Sequence, residues 1–221
     1  WQANVGSLAI GTAGAGLYAG ANTAAPDRNW TLSSNGAVLL GNANIVAPGN
    51  VNINLVNPPV SGSSLSSAAN ATLQAGGNLQ VIGQGVLDLS GKWQAAGNLQ
   101  IGLPAAPAAI APTTTALQIN NQGLLQATGN LAIGSQTARV DLSNGGTVLA
   151  GTLQIDAGKL QNSGRLQAPD GVLLSADQFT NLADGVVLGT GNGQGMRVQA
   201  NQINNAGNMQ SAGGMTLQTA G

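Results

Sequence analysis

Three aspartates, Asp170, Asp177 and Asp184, stand seven residues apart, a spacing that could gather carboxylates around a calcium ion. Asp170-Gly171 and Asp184-Gly185 are turn dipeptides, however, and the Gly-Gly-x-Gly-x-Asp repeats of calcium-binding β-rolls are absent. Asp141 and Asp156 form a second candidate set, because two carboxylates roughly 5 to 10 Å apart suffice to hydrolyse a glycosidic bond. Their surroundings, Val140-Asp141-Leu142-Ser143 and Ile155-Asp156-Ala157-Gly158, read as outward positions on ordinary strands. Gly14-Ala15-Gly16-Leu17-Tyr18-Ala19 fits a dinucleotide-binding pattern in form, yet no amphipathic helix or βαβ unit follows it, so it reads as a turn.

The composition removes most other chemistry. Zero His and zero Cys exclude imidazole and thiolate metal sites, a Cys nucleophile, a Ser-His-Asp triad and a disulfide scaffold. Six cations against seven acids give a net charge of −1, so there is no basic footprint for nucleic acid or for electrostatic membrane attachment. Saccharide clefts recruit aromatic platforms, and this chain has five aromatic residues: Trp1, Tyr18, Trp30, Trp93 and Phe179. No catalytic, cofactor-binding or metal-binding residue is therefore assigned, and no small-molecule cofactor is expected. Asn29-Trp30-Thr31 and Asn70-Ala71-Thr72 match the N-glycosylation sequon, a match expected by chance in a chain so rich in Asn.

The elements that position these residues repeat. Only 13 of 221 residues are charged, while 24 Asn and 19 Gln carry the polar work. With 43% hydrophobic residues the chain is too apolar for a disordered polar tract, and Gly, Asn or Ser interrupts every run long enough to cross a membrane as a helix. The first residues carry no basic stretch followed by an apolar run and a cleavage site, the pattern expected of a mature or excised piece. Leu73-Gln74-Ala75-Gly76-Gly77-Asn78-Leu79-Gln80-Val81 returns as Trp93 to Ile101 and again as Leu125 to Ile133. A second element, Ile119-Asn120-Asn121-Gln122-Gly123, returns at Leu142, Leu160, Phe179 and Ile203, at a mean spacing of 21 residues.

Each unit holds three short segments alternating apolar and polar residues, such as Leu117-Gln118-Ile119, Leu125-Gln126-Ala127 and Leu131-Ala132-Ile133. Alternation of period two means strand. Three strands and three turns in about 21 residues predict one coil of a parallel β-helix, an all-β solenoid in which each strand pairs with the coils above and below. Equivalent positions then stack about 4.8 Å apart, where a charge repeated in every coil would face its own kind. Asn121, Asn144, Asn162, Asn181 and Asn205 form a column able to hydrogen-bond to itself as a ladder. Glycine is expected at the corners, supplying positive φ.

The whole of 1–221 reads as one β-helical segment, with irregular coils over 1–72 and regular repeats over 73–221. Residues 102–116, with three prolines, read as a loop extruded from one corner. Trp93 occupies the position of Leu73 and Leu125 and reads as a coil residue; the sequence leaves the exposure of Trp30 open.

The unit from Ile119 to Ile133, Ile-Asn-Asn-x-Gly-x-Leu-Gln-Ala-x-Gly-Asn-Leu-x-Ile, resembles the haemagglutinin-type repeats of filamentous haemagglutinin and of contact-dependent growth inhibition exoproteins. The resemblance is good over 73–221 and weak over 1–72, and the Asn-Pro-Asn signatures of that family's secretion domain are missing, Asn57-Pro58 being followed by Pro59. It implies a right-handed β-helix, secretion by the two-partner route through an outer-membrane partner, and a bacterial cell-surface location. It also implies a structural shaft for adhesion or for presenting a toxin or receptor-binding module to a host or neighbouring cell. The alternative from another class is a polysaccharide-processing β-helix, a lyase or tailspike-type hydrolase.

Overall fold

A computed structural model of the chain describes residues 2–10, 16–18, 29–56, 62–103 and 117–219, with the backbone alone at 16–18. The glycine motif at 14–19 lies largely outside them, as do Asn57-Pro58 and residues 104–116 of the expected loop.

All pairing between the strands is parallel, and the chain winds into a β-solenoid of about eight turns with about 22 residues per turn. One coil shows the plan. Leu79–Ile82 lies on a first face, Val86–Leu89 on a second and Lys92–Ala95 on a third, and each pairs with its counterparts one coil down and one coil up. A strand of four residues cannot persist alone. Here both of its edges are occupied by neighbours of the same length, and its inward side chains stack on their equivalents.

Those inward positions form three apolar columns. The first face contributes Leu32, Ile53, Val81, Ile101, Ile133, Ile155, Leu174 and Val198. The third contributes Ile45, Leu73, Trp93, Leu125, Val148, Leu166 and Val187. All are buried. Each large side chain removed from water contributes roughly 1.5–3 kcal/mol, and the columns join into one continuous core along the solenoid. Trp93 sits in the third column as expected, its indole N–H donating to Ser67 Oγ at 3.2 Å and to the Ser90 carbonyl at 3.1 Å. Trp30 is buried as well.

In the amino-terminal part the first-face pairing is residue for residue, while the second-face pairing slips once, between Ser63 and Leu65. Trp30–Ser34 pairs residue for residue with Val51–Leu55, and Val51–Asn54 with Leu79–Ile82. A departure from the sequence reading lies at the corner between the first and second faces. From Thr152 onward this corner does not interrupt pairing, and Thr152–Asn162, Gly171–Asn181 and Met196–Asn205 run as single strands through both faces. Ala157, Ala176 and Ala200 stack inward at that bend, small enough to let the chain turn without a break. Earlier coils turn there on glycines of positive φ, Gly85 and Gly134.

Glycine has a second use that its usual conformational role does not cover. Gly123, Gly146, Gly164 and Gly207 lack positive φ, but a Cβ on any of them would fall on a backbone carbonyl of the coil beneath. Close stacking of turn on turn selects them.

Candidate functional site

The seven-residue spacing of Asp170, Asp177 and Asp184 is about a third of a turn, and the fold converts it into three separate corners. Asp170 follows the third-face strand Arg165–Ala168, Asp177 lies at the bend within Gly171–Asn181, and Asp184 lies in the turn leading to Val186–Gly189. All three are exposed, and no group of three or more potential metal ligands occurs among the described residues. Asp177 pairs with Arg139 instead, a partly exposed salt bridge that spans the intervening coil of Thr152–Asn162.

Asp141 and Asp156 are also held by structural contacts. Asp141 projects from the second face beside Lys159, its register partner in the next coil, and its Oδ1 accepts the Lys159 backbone N–H at 3.0 Å where the pairing slips by one residue. Asp156 is buried at the first-to-second corner, where Oδ2 accepts from Gln154 Nε2 at 2.7 Å. The two carboxylates thus occupy different settings, one beside a cation on an open face and one enclosed. Asp88 is bound as well, accepting from the Ser63 hydroxyl and from Asn120 Nδ2 at 2.7 Å.

What the outer faces offer is amide. On the first face Asn50, Asn52, Asn78, Gln80, Asn98 and Gln100 line a shallow groove of about 280 Å³, within which Gln80 Nε2 donates to Gln100 Oε1 at 3.0 Å. On the second, Gln118, Asn120, Asp141, Ser143, Lys159 and Gln161 line one of about 140 Å³. Gln94 and Gln126 continue the pattern on the third face, bonded at 2.8 Å. The first-face groove donates and accepts hydrogen bonds without carrying charge, whereas the second-face groove holds one acid and one cation, Asp141 and Lys159. Among the described residues no two like charges are register partners between strands, and Asp141 and Lys159 are a pair of opposite sign.

The expected Asn column is present and lies inside. Asn121 Nδ2 donates to Asn144 Oδ1 at 2.7 Å, and Asn144 to Asn162, Asn162 to Asn181 and Asn181 to Asn205 follow at 2.8 Å each. The first four residues are fully buried. Every donor points toward the carboxy-terminal coil, and the lowest Oδ1, on Asn121, accepts the Gly123 N–H at 3.2 Å.

A second asparagine column was not recognised from sequence. Asn29, Asn50, Asn78 and Asn98 each accept, through Oδ1, the backbone N–H of the asparagine one coil further on, Asn130 being the last, at 2.8 to 2.9 Å. The signal was the dipeptide Gly-Asn at the start of four successive first-face strands, at 49–50, 77–78, 97–98 and 129–130. A Cβ at Gly77, Gly97 or Gly129 would fall on the Oδ1 of the asparagine below, so the glycine keeps that acceptor accessible.

Of the sequons, Asn29 is committed to this outer column, and Asn70 stands exposed in the turn closed by Ala71 N–H to the Ala68 carbonyl at 3.0 Å. The corner that carries the 102–116 insertion is framed by Leu99–Gly102 on one side and buried Leu117 on the other. Compared with protein-family models, curated proteins and solved structures, the chain matches none.

Proposed function

We propose that this chain is a shaft segment of a large secreted bacterial surface exoprotein, which holds an adhesive, receptor-binding or toxin module away from the cell. The supporting observation is that the carboxylates on or beside the strands are taken up by hydrogen bonds, Asp88 and Asp141 from neighbouring coils and Asp156 from its own strand. The amide columns tie coil to coil. Stacked coils at about 4.8 Å make a rod, and eight turns extend roughly 40 Å. The haemagglutinin-type repeat pattern supplies the cellular setting of this reading.

The test sets the rod against the polysaccharide-processing alternative. The chain is incubated with neutral and acidic polysaccharides, and reducing ends and unsaturated uronates are measured for the native protein and for Asp141→Asn and Asp156→Asn. The shaft reading expects no turnover with any of them. Turnover by the native protein that either substitution abolishes would replace it with the enzymatic one.

A further inference from the structure

We infer that Asn192-Gly193 is a site of self-modification, where the folded chain loses ammonia from the asparagine and gains a carboxylate. Asn-Gly occurs three times in the sequence, at 35–36, 144–145 and 192–193. The reaction needs the backbone nitrogen of the second residue to reach the asparagine Cγ, and glycine, having no Cβ, obstructs that approach least. What separates the three pairs is how the solenoid holds the amide and the nitrogen.

Asn144 is locked. It is buried, its Oδ1 accepts from Asn121 at 2.7 Å, its Nδ2 donates to Asn162 at 2.8 Å, and the Gly145 N–H donates to the Asn121 carbonyl at 2.8 Å. Asn35 is exposed, but its N–H donates to the Val5 carbonyl at 3.0 Å and the Gly36 N–H to Ser34 Oγ at 3.3 Å. Asn192 lies in a corner longer than those stacked on it. The chain takes seven steps from Gly189 to Met196, whereas their register partners in the coils on either side, Ala168 to Val172 and Ser211 to Met215, are four steps apart. The corner is pinned at Thr190, whose N–H donates to the Ala168 carbonyl at 3.2 Å, and at Gln194, whose N–H donates to the Asp170 carbonyl at 2.9 Å. Between the pins Asn192 and Gly193 are both exposed, and neither has a hydrogen bond among the described residues.

The Gly193 nitrogen gives its proton to hydroxide and forms a bond to Asn192 Cγ. The Cγ–Nδ2 bond then breaks, Nδ2 takes a proton from water and leaves as ammonia, and a second water opens the five-membered imide to aspartate or isoaspartate. Isoaspartate lengthens the backbone by one carbon, which the surplus residues of this corner take up between the pinned ends. The new carboxylate stands over the corner of exposed Asp170, whose carbonyl lies directly beneath Gly193.

The test is peptide mapping by mass spectrometry after prolonged incubation of the native chain in mildly alkaline buffer, beside the same chain in denaturant. In the folded protein Asn192 is expected to deamidate at least about tenfold faster than Asn35 and about a hundredfold faster than Asn144, whose reaction waits on opening of the ladder; in denaturant the three rates should converge to within about threefold. Deamidation of Asn35 or Asn144 as fast as that of Asn192 in the folded chain would overturn the inference. So would a ranking that survives in denaturant, or an Asn192 that reacts only once the chain is unfolded.

Discussion

Asn98 and Asn162 are the same residue type at the same kind of recurring position, and the fold asks different things of them. Asn162 lies inside, donating from Nδ2 to Asn181 and accepting at Oδ1 from Asn144, so both ends of its amide are used. Asn98 lies at the surface, and its Oδ1 alone ties it to the next coil by accepting the Asn130 N–H. The inner column holds the carboxy-terminal coils and the outer column the amino-terminal ones, meeting where Asn121 begins one and Asn130 ends the other. Only the inner one demands a side chain that is donor and acceptor at once. The outer one needs an oxygen, and it gives way to Thr152 in the following coil.

The largest effect should come from removing the donor of the inner residue. Asn162→Asp sets a buried carboxylate against Asn181 Oδ1 and is expected to cost roughly 3–5 kcal/mol at pH 7 by equilibrium unfolding, whereas Asn98→Asp keeps the acceptor and should stay within about 1 kcal/mol. Burial raises the folded-state pKa of the new acid above its unfolded value. Stability is therefore lost as pH rises from the unfolded value near 4 through the higher folded one, and the penalty for Asn162→Asp should shrink toward pH 4. Equal losses at the two sites would erase the distinction between the columns.

Glycine gives the next contrast. Gly164→Ala drives a Cβ into the Gly146 carbonyl, which is backbone and cannot retreat, so a loss of about 2–4 kcal/mol is expected; Gly97→Ala meets the movable Oδ1 of Asn78, and about 1–2 kcal/mol should follow. Thermal melts of the two proteins check the ranking. Below these in size, Asn98→Ala removes one exposed hydrogen bond and should cost about 1 kcal/mol, with faster exchange at the Asn130 amide. The smallest effect tests the scarcity of charge. Lys159→Asp would stack a carboxylate over Asp141 and cost about 0.5–1 kcal/mol in low salt, recovered largely in 1 M salt.

Much of this was legible in the residues, since period-two alternation and the return of Ile119-Asn120-Asn121 about every 21 residues require stacked coils, and the inner ladder follows from that stacking. The outer ladder was hidden because its bond runs from a side chain to a backbone N–H, a pairing that leaves no requirement on the residue above beyond its N–H. The repeated Gly-Asn was visible, but its reason, the space a glycine leaves for the Oδ1 beneath, appears only with coordinates. The fused strands from Thr152 onward were hidden because three strands and three turns were expected in every unit, whereas Ala157, Ala176 and Ala200 carry the chain through the first-to-second corner without a break. The aspartate spacing takes its meaning from the coil: seven residues are a neighbourly distance in a loop and about a third of a circuit in a solenoid of about 22 residues per turn.

The central claim, that the inner column is a closed amide ladder and the outer one is not, can be measured without changing the protein. Side-chain NH₂ exchange rates for Asn144, Asn162 and Asn181 should be compared with those for Asn78 and Asn98 by NMR. Exchange at the inner three slower than at the outer pair by at least about a hundredfold is the predicted result, given their burial and paired Nδ2 groups. Comparable rates for the two sets would contradict it.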